Sequence, residues 1–294
     1  MSNSPSALAH VLQHPARFLW QVLRAFRDNQ GLLLAGAVAY YTLLSIVPMF
    51  ALLLILLSQL FDPQLLLDTV GTYLELLAPT RSGELVMDLG SFLEQWKVVG
   101  VAGVLVLLFF SSLAFSVLES AMAAIFFHRL PIRQRHYLVS AIIPYAYIAL
   151  LALGLLVVSL IASWLDRQGA SLTVLGHSFS MSRTTALVLY LLGVVGEVLL
   201  LTSLYLVLPV GRLAWNHALI GGVAATVLWE ITRHLLVWYL TTLSFVNVIY
   251  GSLATTIVIL LSLEFAAIIL LFGGQVIAEY ERIGQSVAQD ELSS

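Results

Sequence analysis

VIYGSLATTIVILLSLEFAAIILLFGGQVI, residues 248–277, holds a single acidic or basic side chain, Glu264, in 30 positions. Wound as a helix at 1.5 Å per residue it would be about 45 Å long, more than the roughly 30 Å of a bilayer's hydrocarbon core. The same signature recurs toward the N-terminus, at about 32–57, 98–127, 137–165, 184–208 and 213–240, so six spans are expected. Several end at recognisable stops: Asp62-Pro63 after the first, the basic patch Arg129, Arg133 and Arg135 after the second, and Pro209 after the fourth. The chain as a whole agrees. Of its 294 residues 60% are hydrophobic and 10% charged, with a mean hydropathy of +0.99, which calls for lipid as the main solvent. The expected fold class is all-α, a polytopic membrane protein with six transmembrane helices and amphipathic interfacial helices. Without internal repeats or linkers, residues 1–294 read as one transmembrane domain.

The intervals between spans carry their own pattern. Within residues 6–30, Arg17, Gln21, Arg24 and Asp28 share one helical stripe, and Phe18, Val22 and Phe26 share another, the mark of a helix lying on the membrane surface. In the polar interval 58–97, Leu66, Val70, Leu74 and Leu77 recur at helical spacing, as do Leu85, Leu89, Phe92 and Trp96. Two short interfacial helices, parted around Pro79 to Gly83, are expected there. Met1 to His10 carries no Lys or Arg, and the first apolar run lacks a small-residue cleavage pattern, so that run is expected to remain in the mature protein as an anchor. Beyond Ile277 a charged tail follows.

Orientation follows from the basic residues outside the spans. Arg17, Arg24, Arg27, Arg129, Arg133, Arg135, Arg212 and Arg282, 8 in all, lie on the side of the termini; Arg81, Lys97, Arg167 and Arg183, 4 in all, lie opposite. The positive-inside rule then places both termini in the cytoplasm of a bacterial inner membrane, with 58–97 in the periplasm.

Composition also excludes. No cysteine is present, which removes disulfides, thiolate nucleophiles and cysteine metal sites. The seven histidines are scattered and none has HExxH spacing. No nucleophile-base grouping, phosphate loop or basic-aromatic nucleic-acid surface stands out, and the loops are short. The chain is therefore expected not to be an enzyme and to need neither cofactor nor metal nor nucleic-acid partner.

What remains is polarity where lipid should be. An ionisable residue within a span is costly unless it faces the bundle, water or a partner. Five qualify: Glu119, Glu197, Glu230, Arg233 and Glu264. Glu230, Arg233 and His234 share one face of the fifth span with Thr226, so carboxylate and guanidinium can neutralise each other. A structural ion pair and a place on a substrate path both fit that pattern. Glu119 shares a face with Ser112, Ser116 and Ala123, a stripe suited to close packing or to a wet groove. Glu197 stands beside Gly193 and Gly196, where a neighbouring helix is expected to approach closely. In the first span Tyr41, Ser45 and Pro48 form a polar stripe ending at a kink-prone proline. Trp20, Trp96, Trp164, Trp215 and Tyr137 near the span ends read as interfacial anchors.

The stretch FRDNQGLLLAGAVAYYTLLSIVPMF, Phe26 to Phe50, resembles the opening of the YihY/BrkB family, where a basic helix leads into an A-x-AYY-x-LLS-x-x-P core. VIYGSLATTIVILLSLEFAAIILLFGGQ is similar to the family's closing segment, and the resemblance covers roughly Arg24 to Glu279. It singles out Tyr40, Tyr41, Ser45 and Pro48, Glu119, Glu230 with Arg233, and Tyr250-Gly251. Where the family usually ends in G-A-E, this chain has Gly273-Gly274-Gln275, with Glu264 eleven residues earlier on nearly the same face. The resemblance implies envelope biology. The expectation is an inner-membrane protein that moves a lipid or other amphiphile past the polar stripe of the first span and the intramembrane acids. Membrane lipids are its expected partners, joined by periplasmic envelope-lipid transfer proteins. A non-transporting scaffold for envelope-lipid machinery and a proton-coupled small-solute carrier are the alternatives.

Overall fold

A computed structural model describes residues 13–77, 82–126, 173–174, 177–178, 181–208, 213–242 and 254–293, with position 11 and scattered positions between 142 and 161. It is helical almost throughout. In chain order the elements are α1 (Pro15–Asp28), α2 (Gly31–Leu57), α3 (Pro63–Leu77), α4 (Ser82–Ile125), α5 (Met181–Val207), α6 (Trp215–Thr242) and α7 (Ala254–Ser293). The only strands among the described residues form a two-rung antiparallel ladder, β1 (Thr173–Val174) with β2 (His177–Ser178), in which Thr173 faces Ser178 and Val174 faces His177.

Local chemistry sets the helix ends. Pro15 opens α1 where a missing N–H costs nothing. Beyond Asn29, Gln30 takes a left-handed φ of 56°, and the chain re-enters a helix at Gly31. Any side chain at Gly31 would overlap the Phe26 ring, so the turn needs glycine. Asp62 caps α3 by accepting the Gln64 N–H at 2.8 Å, with Pro63 at the first helical position.

Among the described residues, five helices are long and apolar enough to cross a membrane, over Gly31–Leu57, Ala102–Ile125, Leu187–Val207, Trp215–Leu236 and Thr256–Gln285. Their outward faces carry leucine, isoleucine, valine and phenylalanine, among them Leu33, Val47, Leu105, Phe109, Leu191 and Ile231. Apolar side chains outside and hydroxyls within invert the arrangement of a water-soluble protein, as lipid solvation requires. The expected span at 137–165, with Pro144, lies largely outside the described residues; those described between 142 and 161 are helical.

Two boundaries differ from the sequence expectation. The second interfacial helix is not separate: α4 runs unbroken from Ser82 to Ile125, 44 residues or about 66 Å. Nothing between Trp96 and Val98 stops a helix, so the interfacial turns continue into the span. Likewise α7 does not end at the bilayer. Its 40 residues carry the charged tail on to Ser293 as helix, because no proline interrupts it.

Contacts divide the chain into a unit of residues 40–116 and a unit of residues 1–39 with 117–294. In the first, the buried Ser45 hydroxyl donates to the Phe110 carbonyl at 2.8 Å and accepts the Ala114 N–H at 3.1 Å. Phe110 and Ala114 are one turn apart, so a side chain of α2 bridges the donor and acceptor of a single turn of α4. In the second unit, α5 packs on α6, α6 on α7, and α1 on α7.

Glycines govern that packing. A side chain at Gly221 would meet Ile277, one at Gly222 would meet the Thr202 hydroxyl, and one at Gly274 would lie 2.9 Å from the Met122 sulfur. At Gly273 it would meet the Tyr205 hydroxyl, which is fully buried and donates to the Leu270 carbonyl at 2.7 Å. The expected close approach at Gly193 and Gly196 is not found. Among the described residues nothing lies within 4 Å of a side chain added at either, and both are exposed on α5.

Candidate functional site

Spacing along α6 puts Glu230, Arg233 and His234 on one face. The Arg233 guanidinium donates to Glu230 Oε2 at 2.6 Å, and His234 Nε2 stands 3.7 Å from the same oxygen. A residue of α5 completes the group: the Tyr190 hydroxyl donates to Glu230 Oε2 at 2.9 Å, and the Arg233 guanidinium lies over its ring at 5.9 Å from the centroid. One carboxylate thus gathers a phenol, a guanidinium and an imidazole. Its side chain is 17% exposed, whereas Arg233 and His234 are 44% and 73% exposed, so the anion is screened and the cations open outward. Arg233 is three residues from the end of the membrane-length segment Trp215–Leu236 of α6, which itself continues to Thr242.

Polarity continues inward along the seam of α5 and α6. Glu197, half-buried and two turns along α5 from Tyr190, lies within electrostatic reach of both Glu230 and Arg233. Deeper still, the Thr226 and Thr202 hydroxyls are buried and have no hydrogen-bond partner among the described residues. A buried hydroxyl without a partner costs about 1–3 kcal/mol. Thr202 abuts Gly222, and with Tyr205 against Gly273 this closes the seam.

At the other end of α6 sits a second polar group. His217 Nδ1 lies 2.9 Å from Glu281 Oε1, and its ring meets Tyr280 edge-on at 5.2 Å. Nearby on α7, Asn29 donates to Gln275 at 2.9 Å, Gln275 to Glu279 at 3.4 Å, and Arg282 to Glu279 at 2.9 Å. Gln275, Glu279 and Glu281 are all buried.

The sequence-predicted residues are therefore distributed as follows. Glu230, Arg233 and His234 meet, with Glu197 close by. Glu119 is half-buried on α4 and engaged in an interaction. Glu264 is half-buried on α7 and makes no hydrogen bond or ion pair among the described residues. Tyr41 stacks edge-on with Tyr40 at 5.3 Å, Ser45 grips the backbone of α4, and Pro48 lies inside α2. Tyr250 and Gly251 lie outside the described residues. Tyr190 was not expected, nor was the group formed by Asn29, His217, Gln275, Glu279 and Glu281. Hydropathy reads the last two acids as tail; the signal that could have found them is the absence of any helix stop between Ile277 and Glu281.

Helices of this length, apolar outside and polar at their seams, define a polytopic helical membrane protein. A profile of the family described as Virulence factor BrkB matches residues 22–293, and the chain belongs to that family. It is 27% identical over 268 residues to a UPF0761 membrane protein of Legionella pneumophila (strain Corby), covering 88% of this chain and 61% of that protein. To a UPF0761 membrane protein of Nitrosospira multiformis it is 25% identical over 297 residues, 94% of this chain and 64% of the relative. A UPF0761 membrane protein of Haemophilus influenzae is 23% identical over 276 residues, 90% of this chain and 96% of its own length. The chain thus spans about three fifths of the length of several curated relatives and nearly all of another. No solved structure matches.

Proposed function

We propose that the chain is a non-enzymatic inner-membrane transporter-like protein that takes the polar headgroup of a lipid or similar amphiphile at the seam of α5 and α6. The observation that carries this reading is the Glu230 group. A screened carboxylate holds an exposed guanidinium and an imidazole near the end of a membrane-length segment, beside a seam with Glu197 and, among the described residues, two unpartnered hydroxyls behind it. An anionic headgroup would accept from the exposed N–H groups of Arg233 while Glu230 holds the guanidinium in place, and the acyl chains would stay in lipid along the apolar outer faces of both helices. With both termini cytoplasmic, as the basic residues favour, this mouth opens toward the periplasm, where lipid transfer proteins would be partners.

The test is lipid movement. The full chain in liposomes, with headgroup-labelled lipid and an impermeant quencher, should move lipid between leaflets or deliver it to an acceptor. Glu230→Gln and Arg233→Gln should each slow that at least about tenfold at normal folded yield, the value of one charge-assisted hydrogen bond. One observation favours a static scaffold instead, namely the closed glycine packing at Gly222 and Gly273. Absence of movement in the unaltered protein, with intact folding, would decide for it.

A further inference from the structure

We propose that α1 carries a binding site for the phosphate headgroup of an anionic phospholipid, separate from the site between α5 and α6. The observation is a division of labour between two faces of one helix. Val22 and Phe26 are buried, and Phe26 packs edge-on against Phe272 of α7 at 5.6 Å, so the apolar stripe that would otherwise rest on the bilayer is covered by protein. Trp20, Leu23, Arg24 and Arg27, spaced i, i+3, i+4 and i+7, point elsewhere. They line an open groove of about 310 Å³. Trp20 is 68% exposed, and the Arg24 and Arg27 side chains are 69% and 80% exposed.

The chemistry of that groove selects its occupant. Two guanidinium forks suit the oxygens of a phosphodiester, the indole can donate one more N–H, and Leu23 offers an apolar floor to a glycerol backbone. Arg17 adds a third cation, so α1 holds three arginines against one acid. That acid, Asp28, lies 3.8 Å from Arg24 and 3.4 Å from Arg27, but all three are solvent-exposed. Exposed pairs of this kind are weak, and a phosphate can replace them. The docking of α1 on α7 fixes the groove at the protein's edge, and the chain's own membrane supplies the lipid. An anionic bilayer is thereby favoured over a soluble phosphate, because the tryptophan and leucine gain only from an occupant with an apolar part.

The experiment uses the full chain in phosphatidylcholine nanodiscs doped with brominated phosphatidylglycerol. The quenching of Trp20 is the difference between the unaltered protein and Trp20→Phe. Quenching should saturate at a lower mole fraction of brominated phosphatidylglycerol than of brominated phosphatidylcholine. Arg24→Gln with Arg27→Gln should raise the half-saturating fraction about 25-fold, about fivefold per arginine, with thermal stability unchanged because both side chains are exposed. Equal quenching by the two lipids, no quenching assignable to Trp20, or no shift in the double variant overturns the proposal. So does competition by soluble glycerol phosphate at matching concentration, which would mark a site for free phosphate.

Discussion

Replacing Gly273 by alanine tests the packing that closes the seam. The added carbon would meet the Tyr205 hydroxyl and lie 2.8 Å from its ring carbon and 3.0 Å from the Ala225 methyl. Tyr205 cannot retreat, being fully buried and bonded to the Leu270 carbonyl at 2.7 Å. Overpacking costs about 1–3 kcal/mol, and loss of the hydrogen bond about 1 kcal/mol more. Against this, alanine improves helix propensity by about 1 kcal/mol, leaving a net loss of about 1–3 kcal/mol. Tyr205→Phe alone should cost about 1 kcal/mol, since the Leu270 carbonyl keeps its helical partner. In the double variant the hydroxyl is no longer there to collide, so the loss should fall short of the sum by about 1–2 kcal/mol. Gly193→Ala is the control: among the described residues nothing stands within 4 Å of the new carbon, and it should be neutral or slightly stabilising. Denaturant titration in mixed micelles, followed by tryptophan fluorescence, measures all four. If Gly273→Ala proves as stable as Gly193→Ala, the reasoning from close approach fails.

Glu230 and Arg233 should behave as a unit. Glu230→Gln and Arg233→Gln should each lower stability, and the double change should cost about 1–3 kcal/mol less than their sum; strict additivity in the same titration would mean the two are uncoupled. Gln275→Ala should loosen α1 by removing the partner of Asn29, worth about 1 kcal/mol, so trypsin should cut at Arg24 and Arg27 about fivefold faster, while an unchanged rate would show that Phe26 alone holds the helix. For orientation, a cysteine placed at position 132 in this cysteine-free chain should escape an impermeant thiol reagent in intact cells, and labelling from outside would reverse the topology.

The fold class was legible because apolar runs of bilayer length have few other uses, as the stretch 248–277 with its one acid, Glu264, shows. Its boundaries were less so. Trp96 and Lys97 look like a membrane edge on a hydropathy count, yet edge residues do not stop a helix, and α4 continues through them. At the candidate site, Glu230 with Arg233 could be read from spacing because both lie on one helix. Tyr190 could not, since it comes from a helix 40 residues earlier and tyrosine near a span end reads as an anchor. Ser45 was singled out rightly as polar, but its partners are the Phe110 carbonyl and Ala114 N–H, backbone groups that every residue carries and no pattern displays. Gly193 and Gly196 were misleading for a related reason. Glycine permits close approach without requiring it, and only the neighbour decides, as Ile277 does at Gly221 and Tyr205 does at Gly273.

The bond between Asn29 and Gln275 joins residues 246 positions apart, and with it the docking of α1 on α7 has a consequence for how the chain is made. Synthesis proceeds from the N-terminus at about 5–20 residues per second, so α1 leaves the ribosome at least ten seconds before the helix that covers Val22 and Phe26. During that interval its apolar stripe has no protein to rest on and must lodge in lipid. The Gly273-Gly274 pair compounds the delay, because two adjacent glycines weaken α7 at the point where it is most closely held. α5 and α6 precede α7 in the chain and present Tyr205 and Ala225 to it, so the clamp exists before the helix it straightens. Assembly is thus circular: α1, made before α7, can take its seat only after α7 has been made.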